Sequence, residues 1–500
     1  MNLILNKCVS SHYDRNIHNN CRKDVSIISQ LTKSLPKHTV ISGAENTRPF
    51  ECDGLSVYKQ EPLAVVLPSE VGQIKKVLEI CRQNNTPVVT RGAGTGLSGG
   101  AMPLKDSVVL GLSKLTNIIS IDQNARTALV QPGVRNLAIS EAAEEFGLYY
   151  APDPSSQIAC TIGGNVAENA GGVHCLKYGL TVQNIESLKI LTIDGDELVF
   201  SRQDDGLGLL ALMNGSEGLL GVITEITVKL TPKPELAKLV MAGFDSVRDC
   251  AQAVADIIKN GVIPAGLEMM DEFAIEAAED FAKPGYPLMA KALLLCELDG
   301  SIDLVNNDVN VVKNLLSKAT SIRVSETEEE RLLLWKGRKS AFPAVGRISP
   351  DYYCMDGTIP KRHLGDVLEK INKLARHYSL RVANVFHAGD GNLHPLILYD
   401  AGVPGELEKT EEFGNKILKI CIEAGGSITG EHGVGVEKLD AMCYQYSEAE
   451  LDIFHQIKAA FDPHSLLNPG KAVPTLHRCA ELGNMHVHHG NLPHPELERF

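Results

Sequence analysis

The fold of this chain is decided by the ten residues Arg91-Gly92-Ala93-Gly94-Thr95-Gly96-Leu97-Ser98-Gly99-Gly100, which follow the predicted strand Pro87–Thr90. Five of these ten residues are glycine. Glycine lets a backbone adopt positive φ and approach a ligand closely, and successive amide groups in such a loop form a concave anion-binding surface. An ordinary flexible loop explains this composition poorly. The stretch therefore predicts a loop that binds a pyrophosphate.

Within this loop, Gly94, Gly96 and Gly99 match the G-x-G-x-x-G pattern of Rossmann folds. In a Rossmann fold the loop opens a helix, and an acidic residue follows about 20 positions later. Here Pro103 and a new strand follow, and no acidic residue lies between positions 114 and 121. These departures disfavour an NAD-linked dehydrogenase.

Two further glycine loops follow the first one. The second runs through Pro152–Ser156 and Thr161–Gly172, and the third is Gly215–Thr224. Three such loops in this order indicate a flavin. The residues predicted to bind it are Arg91, Gly92, Ala93, Gly94, Thr95, Gly96, Leu97, Ser98, Pro152, Asp153, Ser156, Thr161, Gly163, Gly164, Asn165, Ala167, Asn169, Gly171, Gly221, Val222 and Ile223.

The composition limits the class of protein. The 500 residues, 44% of them hydrophobic, can form two or three packed units. A net charge of −14 argues against nucleic-acid binding. No apolar stretch approaches the roughly 20 residues that span a bilayer, and the short run Leu3–Leu5 lacks the features of a signal peptide. We expect a cytoplasmic protein that reaches a membrane only through partners.

The 12 cysteines include no C-x-x-C pair. Cysteine ligands of iron–sulfur clusters usually occur in tighter runs, so the spacing predicts scattered reduced thiols rather than disulfides or a cluster. If the chain passes electrons to an iron–sulfur cluster, that cluster is expected in another subunit.

Four segments are predicted along the chain. Residues 1–60 form an N-terminal lead-in, and residues 61–234 form an α+β unit with a hairpin whose turn is Asp194-Gly195. Pro232 and Pro234 mark its end. Residues 235–471 form a second region of helices and strands, and residues 472–500 a histidine-rich tail.

The three glycine loops resemble those of the FAD-binding fold shared by vanillyl-alcohol oxidase, the PCMH type. The resemblance covers roughly Leu63–Pro234. It implies that the first loop holds the pyrophosphate of FAD and the second passes along the flavin. Members with covalent flavin often have a histidine where this loop has Thr95. The resemblance therefore implies non-covalent FAD.

A second constellation is Phe386-His387-Ala388-Gly389-Asp390-Gly391-Asn392-Leu393-His394-Pro395. Asp-Gly favours a two-residue hairpin turn. If Asp390-Gly391 is that turn, His387 lies directly opposite His394 on one face, at a spacing that suits two imidazoles on one metal ion. The loop Gly430–Gly433 offers Glu431 as a third ligand, and two histidines with one carboxylate leave positions open for catalysis. Satisfied polar side chains are the alternative.

Residues Glu235–Lys471 resemble the C-terminal cap domain of FAD-linked D-lactate and D-2-hydroxyglutarate dehydrogenases. The resemblance implies that His387, His394 and Glu431 bind a divalent metal, zinc or manganese, and that His432 abstracts a proton. It implies that Arg338 binds the substrate carboxylate, a task suited to guanidinium; a solvated helix arginine is the alternative. Cys354 stands where the hydroxyglutarate branch has a lysine, which disfavours a dicarboxylate substrate.

The C-terminal tail, with His477, His486, His488 and His489, resembles the end of the FAD subunits of bacterial glycolate oxidases. This implies oxidation of glycolate to glyoxylate, and of D-lactate to pyruvate. It also implies a second flavin-fold subunit and an iron–sulfur subunit, in a complex at the inner face of the cell membrane. The alternatives are a stand-alone D-lactate dehydrogenase and a non-catalytic FAD-binding structural subunit.

Overall fold

A computed structural model describes residues 27–475 and residue 479. The first described unit is a small sheet with the strand order β1-β2-β4-β3, in which β4 pairs in parallel with both β2 and β3. Its elements are α1 (27–34), β1 (Val40–Ile41), α2 (Ala44–Thr47), β2 (Ala64–Val66), α3 (Val71–Gln83), β3 (Val88–Arg91) and β4 (Val108–Gly111). The first glycine loop begins where β3 ends, as predicted.

The second unit is an antiparallel sheet with the order β5-β6-β10-β8-β9. The predicted hairpin around Asp194-Gly195 is confirmed, because Leu191 pairs with Glu197 across it. The elements are β5 (Ile118–Asp122), β6 (Thr127–Val130), α4 (Asn136–Ala143), β7 (Leu148–Tyr149), α5 (Ile162–Glu168), α6 (Cys175–Tyr178), β8 (Ile185–Leu191), β9 (Glu197–Ser201), α7 (Leu209–Met213), β10 (Val222–Lys229) and β11 (Thr231–Pro232).

The third unit contains a seven-stranded sheet with the order β15-β12-β14-β13-β17-β18-β16. Its elements are β12 (Leu236–Phe244), α8 (Val247–Lys259), β13 (Gly266–Asp271), α9 (Glu272–Ala282), β14 (Ala292–Gly300), α10 (Ile302–Leu315), β15 (Ser321–Val324), α11 (Glu328–Lys339), α12 (Ala341–Val345), β16 (Asp351–Cys354), α13 (Leu364–Tyr378), β17 (Arg381–His387), β18 (Pro395–Tyr399), α14 (Glu406–Glu423), α15 (Leu439–Gln445) and α16 (Glu448–Phe461).

Both faces of this sheet are covered by helices. Successive side chains of a strand point to opposite faces, and along β12 Leu239 and Met241 pack on one side while Val240 and Ala242 pack on the other. The side of Leu239 also holds Trp335 from α11. This arrangement places α11 against the face of the sheet on which the candidate site is built.

The chain returns to the first sheet after α16. The Val88 amide donates to the Leu466 carbonyl at 2.7 Å, and the Asn468 amide donates to the Val88 carbonyl at 2.8 Å. Leu467 thus lies parallel to Val88 as an added edge of the sheet. The Lys471 ammonium donates to the Gly100 carbonyl at 2.9 Å, so the same segment buttresses the first glycine loop.

The prediction of reduced thiols is wrong for one pair of cysteines. Cys443 and Cys479 form a disulfide across 36 residues of sequence. Sequence spacing could not reveal it, because the pairing depends on how α15 and the C-terminal segment pack. The other cysteines in the described part of the chain are free.

Within residues 27–475, no helix combines the length and the apolar character needed to cross a membrane.

Candidate active site

The three glycine loops and the cap domain enclose one cavity of about 470 Å³. The predicted cofactor-binding residues on its wall are Gly92, Ala93, Gly94, Thr95, Gly96, Leu97, Ser156, Thr161, Gly163, Gly164, Asn165, Ala167, Gly221 and Ile223. Arg338, His387, His394, Glu431 and His432 line the same cavity. Residues predicted separately, as a cofactor site and as a catalytic site, therefore lie around a single space.

Glycine is required where the loops approach one another. A Cβ on Gly92 would overlap Thr161 Oγ1 of the second loop, and Gly94 has a φ of +72°. A Cβ on Gly171 would lie 2.5 Å from Glu431 Oε2. The glycines therefore bring backbone amides of two loops, and the carboxylate of the cap, to one surface.

The remaining predicted cofactor residues stand behind the wall and support it. Arg91 Nη1 donates to the Cys52 carbonyl at 2.6 Å, and Ser98 Oγ donates to the His432 carbonyl at 2.9 Å. The Pro152 carbonyl accepts from Asn136, and the Asn169 side chain accepts from the Val182 amide. Asp153 pairs with His174 and Lys339. The last two supporting residues are Gly171 and the buried Val222.

The two histidines of the hairpin do meet, but not in the predicted register. The structure pairs His387 with Asn392 across a four-residue turn, and Asn384 with Pro395. The predicted pairing of His387 with His394 is therefore wrong by two residues. A shift of two preserves the face on which each side chain points. The rings remain diagonal neighbours, with centroids 5.0 Å apart.

Glu431 completes this cluster. Its Oε1 lies 3.3 Å from His387 Nε2 and 3.2 Å from His394 Nε2. One ligand atom of each of the three residues lies within 4.8 Å of the other two. A second group, Asp356, His394 and His432, satisfies the same distance. The first group is the better candidate for a metal-ligand set, because the Asp356 carboxylate of the second group already accepts hydrogen bonds from backbone amides.

Asp356 was missed from the sequence, and it organises the loop of Glu431 and His432. Its carboxylate accepts from the Gly430, Glu431 and His432 amides at 3.1, 3.2 and 2.9 Å. The buried Lys438 ammonium lies 3.2 Å from the same carboxylate. An Asp-Gly pair directly after strand β16 was the available signal, although nothing local linked it to a loop more than 70 residues away.

Glu268 was also missed. It lies opposite His387 on the neighbouring strand β13 and accepts from His387 Nδ1 at 2.7 Å. This bond leaves His387 Nε2 directed at Glu431, in the way that a carboxylate behind a histidine usually orients a metal ligand. The other oxygen, Oε2, lies 2.6 Å from Arg338 Nη2. Although burial alone would raise its pKa, His387 and Arg338 hold the pKa of Glu268 below its ordinary value.

Arg338 is fully buried, at 1% exposure, and it faces the cavity from the end of α11. Its guanidinium and Glu268 are close, but they are not aligned for a hydrogen bond. Nε and Nη2 of Arg338 have no hydrogen-bond partner in the protein. A buried guanidinium with unused donors is costly unless an acceptor is supplied, so the cavity favours an anion. The alternative of a solvated helix arginine is therefore wrong.

His432 lies beside His394, with ring centroids 4.9 Å apart and planes nearly parallel. Burial lowers the pKa of His432 to about 4, against the opposing effect of Asp356. Its Nδ1 has no hydrogen-bond partner. The imidazole is therefore neutral at pH 7, with a lone pair available to accept a proton.

Comparison with known proteins places the chain in a class. Residues 62–201 match the FAD binding domain family, and residues 233–472 match the C-terminal domain of FAD linked oxidases. The chain belongs to the FAD-linked oxidase family, FAD is its cofactor, and it is an FAD-dependent oxidoreductase. The predicted resemblance is confirmed.

Particular relatives narrow this class. The chain is 58% identical to glycolate oxidase subunit GlcD of Escherichia coli strain K12, over 95% of this chain and 96% of that one. It is 38% identical to glycolate oxidase subunit GlcD of Bacillus subtilis strain 168, over 88% and 97%. Among solved structures, p-cresol methylhydroxylase with substrate bound matches with a TM-score of 0.76 at 17% identity, over 91% of this chain and 98% of that one. The predicted α+β fold, a PCMH-type domain followed by an oxidase cap domain, is confirmed.

Proposed function

We propose that this protein oxidises glycolate to glyoxylate, and D-lactate to pyruvate by the same route, with electrons passing to an acceptor other than NAD. The observation that carries the proposal is the buried Arg338, whose unpaired donors share a cavity with the unpaired Nδ1 of His432. An anion anchor beside a neutral base suits a 2-hydroxy acid, which presents a carboxylate and a neighbouring hydroxyl.

The charges on the wall favour a small monocarboxylate. Among the described residues that line the cavity, the arginine is Arg338 and the lysine is Lys339. Lys339 is already paired with Asp153, at 3.2 Å. Cys354, at the position discussed for a second cation, is buried and its thiol donates to the Met355 carbonyl. Arg338 lies beside Glu268, but its Nε and Nη2 make no hydrogen bond within the protein, so this one guanidinium can bind one substrate carboxylate.

The residues then divide the work. Arg338 binds the carboxylate with two donors and fixes the orientation of the substrate. His432 accepts the hydroxyl proton as general base. FAD, when bound in this cavity, supplies the acceptor for the two electrons and the α-hydrogen of the substrate. The glycine loops of the first domain and the apolar side chains Phe342 and Pro343 close the cavity around it.

We also propose that His387, His394 and Glu431 hold a divalent metal, zinc or manganese. His394 Nε2 is buried without a hydrogen-bond partner, which fits a ligand position better than a satisfied core histidine. Two imidazoles and one carboxylate suit both ions. Bound there, such an ion would polarise the hydroxyl of the substrate.

The test of the proposed reaction is anaerobic mixing of the FAD-loaded protein with glycolate, D-lactate and L-lactate. We expect glycolate and D-lactate to bleach the flavin absorbance, and L-lactate to leave it unchanged, because one enantiomer places its α-hydrogen on the flavin side. Flavin that no hydroxy acid bleaches would instead identify a non-catalytic FAD-binding subunit.

The FAD is expected to be non-covalent, because Thr95 lines the cavity where covalent members often have a histidine. Acid precipitation should therefore release the yellow chromophore into the supernatant. A pellet that keeps its flavin after extraction and washing would contradict this proposal.

We further propose that the chain works in a complex with a second flavin-fold subunit and an iron–sulfur subunit, peripheral to the inner face of the membrane. Both relatives described above are named as subunits of glycolate oxidase. The histidine-rich tail, residues 472–500, is expected to dock to a partner, and it lies outside the described residues except for residues 472–475 and Cys479.

Complex formation is tested by co-purification from native cells in mild detergent, with the full chain and with a chain that ends at Thr475. We expect the full chain to bring partners with it and the truncated chain to lose them. The control is Cys479→Ser in the full chain, which removes the disulfide but keeps the tail. A full chain that purifies alone and reduces quinone at full rate would be a self-sufficient dehydrogenase.

A further inference from the structure

A polar network crosses the boundary between the FAD domain and the cap domain, and His174 is at its centre. His174 Nδ1 lies 2.9 Å from Asp153 Oδ1, and His174 Nε2 lies 3.0 Å from Glu297 Oε1. Asp153 belongs to the second glycine loop, whereas Glu297 belongs to strand β14 of the cap sheet. One imidazole therefore joins the wall of the flavin cavity to the cap.

The same two carboxylates also bind one face of helix α11. Arg331 Nη1 lies 2.6 Å from Glu297 Oε2, and Trp335 Nε1 donates to that same oxygen. Lys339 Nζ lies 3.2 Å from Asp153 Oδ2. Residues 331, 335 and 339 are four apart, so they form one stripe along the helix. This stripe holds α11 from Arg331 to its last residue, Lys339.

The network is largely buried, and each of its cations contacts a carboxylate. The side chain of Glu297 is 4% exposed and that of Asp153 is 10% exposed. Against the effect of burial, these two carboxylates raise the pKa of His174 to about 10, so the imidazole is a cation at pH 7. Three cations, His174, Arg331 and Lys339, thus share two carboxylates. Removing one member of such a buried group leaves its partners unpaired, which is costly.

The consequence falls on Arg338, which precedes Lys339 on the helix. Arg338 itself binds no member of the network; its charged neighbour is Glu268. Its neighbours on the helix nevertheless set its position relative to the second glycine loop. Lys339 contacts Asp153 of that loop directly. Trp335 binds Glu297, which His174 joins to Asp153. A continuous set of side-chain contacts therefore connects the helix that carries Arg338 with the second glycine loop.

We propose that His174 is a positioning residue, which ties helix α11 to the second flavin loop and so fixes the distance between the substrate anchor Arg338 and the flavin. The inference rests on the proposed role of Arg338. Loss of His174 should let α11 shift relative to the loop. Substrate binding should suffer more than the chemical step, because His432 is held separately by Asp356.

The test compares steady-state kinetics with glycolate for the FAD-loaded wild type, His174→Ala and Trp335→Phe. The second variant removes the hydrogen bond to Glu297 but keeps an aromatic ring, so it serves if His174→Ala does not fold. We expect KM to rise at least about fivefold with kcat changed by less than about twofold, because small displacements of a binding group are expensive. An unchanged KM in a folded variant would overturn the inference.

Lys177→Ala is the matched control. Lys177 lies on helix α6, just after His174, and donates to the Asp299 carbonyl at 2.7 Å. It crosses the same domain boundary to the same strand, but it does not belong to the stripe on α11. We expect a lowered Tm in this variant with a wild-type KM. An equal rise of KM in Lys177→Ala would mean that general loosening of the interface, and not His174, is responsible.

A double-mutant cycle separates this inference from the proposed function. If His174 acts through Arg338, then His174→Ala should add little to the KM of Arg338→Ala. The inference would be overturned if His174→Ala raised KM by the same factor in the wild type and in Arg338→Ala. An Arg338→Ala variant with wild-type KM would instead remove the proposed anchor, whatever His174 does.

Discussion

Replacement of His432 by alanine is expected to slow anaerobic reduction of the flavin by glycolate by about 10²- to 10⁴-fold, the usual contribution of a general base. The unpaired Nδ1 and the pKa of about 4 make His432 the neutral acceptor of the cavity at pH 7. Because alanine neither accepts the proton nor disturbs the glycine loops, the flavin spectrum and FAD content should remain those of the wild type. Rapid-mixing absorbance at the flavin band measures the rate.

Two controls accompany this variant. His377→Ala removes an exposed histidine on α13 that does not line the cavity, and this variant should reduce its flavin at the wild-type rate. Asp356→Asn should have a smaller effect than His432→Ala if Asp356 acts by holding the loop amides rather than by accepting a proton. A wild-type reduction rate in His432→Ala would exclude His432 from the chemistry.

Replacement of His394 by alanine is expected to remove most of the bound metal and nearly all substrate reduction of the flavin, while FAD stays bound. The physical reason is that His394 would supply one of the three proposed ligands, through an Nε2 that has no hydrogen-bond partner in the protein. Metal content by elemental analysis and FAD content by absorbance are measured on the same sample. Full activity in a metal-free variant would refute the proposed role of the metal.

Glu268→Gln provides a graded comparison for the metal site. The glutamine can still accept from His387 Nδ1, but it removes the negative charge beside His387, one of the proposed ligands. Changes of this kind behind a ligand typically cost about 10- to 100-fold in metal affinity. We therefore expect weaker metal binding than in the wild type but stronger binding than in His394→Ala. Affinity is the measurement here, because Glu268 also contacts Arg338.

The parts of the site predicted from sequence are those with a local cause. Glycines dense enough to form an anion-binding loop occur in one stretch of ten residues, and the structure places Gly92–Leu97 on the cavity wall. The prediction that His387 and His394 lie on one face of the sheet held, because a register error of two residues does not change the face to which a side chain points. The turn itself was wrong, since Asp390-Gly391 lies within a four-residue connection rather than forming the whole of it.

The parts that sequence could not predict depend on distant strands. Glu268 meets His387 because β13 pairs with β17, although the two residues are 119 positions apart. Asp356 meets the His432 amide across 76 positions. The residues that surround a buried carboxylate in the sequence do not indicate which distant residue it will bind. The disulfide of Cys443 belongs to the same class, because only the packed chain brings the two thiols together.

The returning segment after α16 has a consequence for the order of folding. Asn468 donates to the Gly100 carbonyl across 368 residues, and Leu467 supplies an edge to the sheet that carries the first glycine loop. Contacts of such long sequence separation form late, since the chain loses much conformational freedom before they can stabilise anything. During synthesis, the first domain leaves the ribosome long before the segment that pairs with its β3 edge. The cofactor cavity is therefore completed only after residues 466–471 have been synthesised, and until then strand β3 has an unpaired edge.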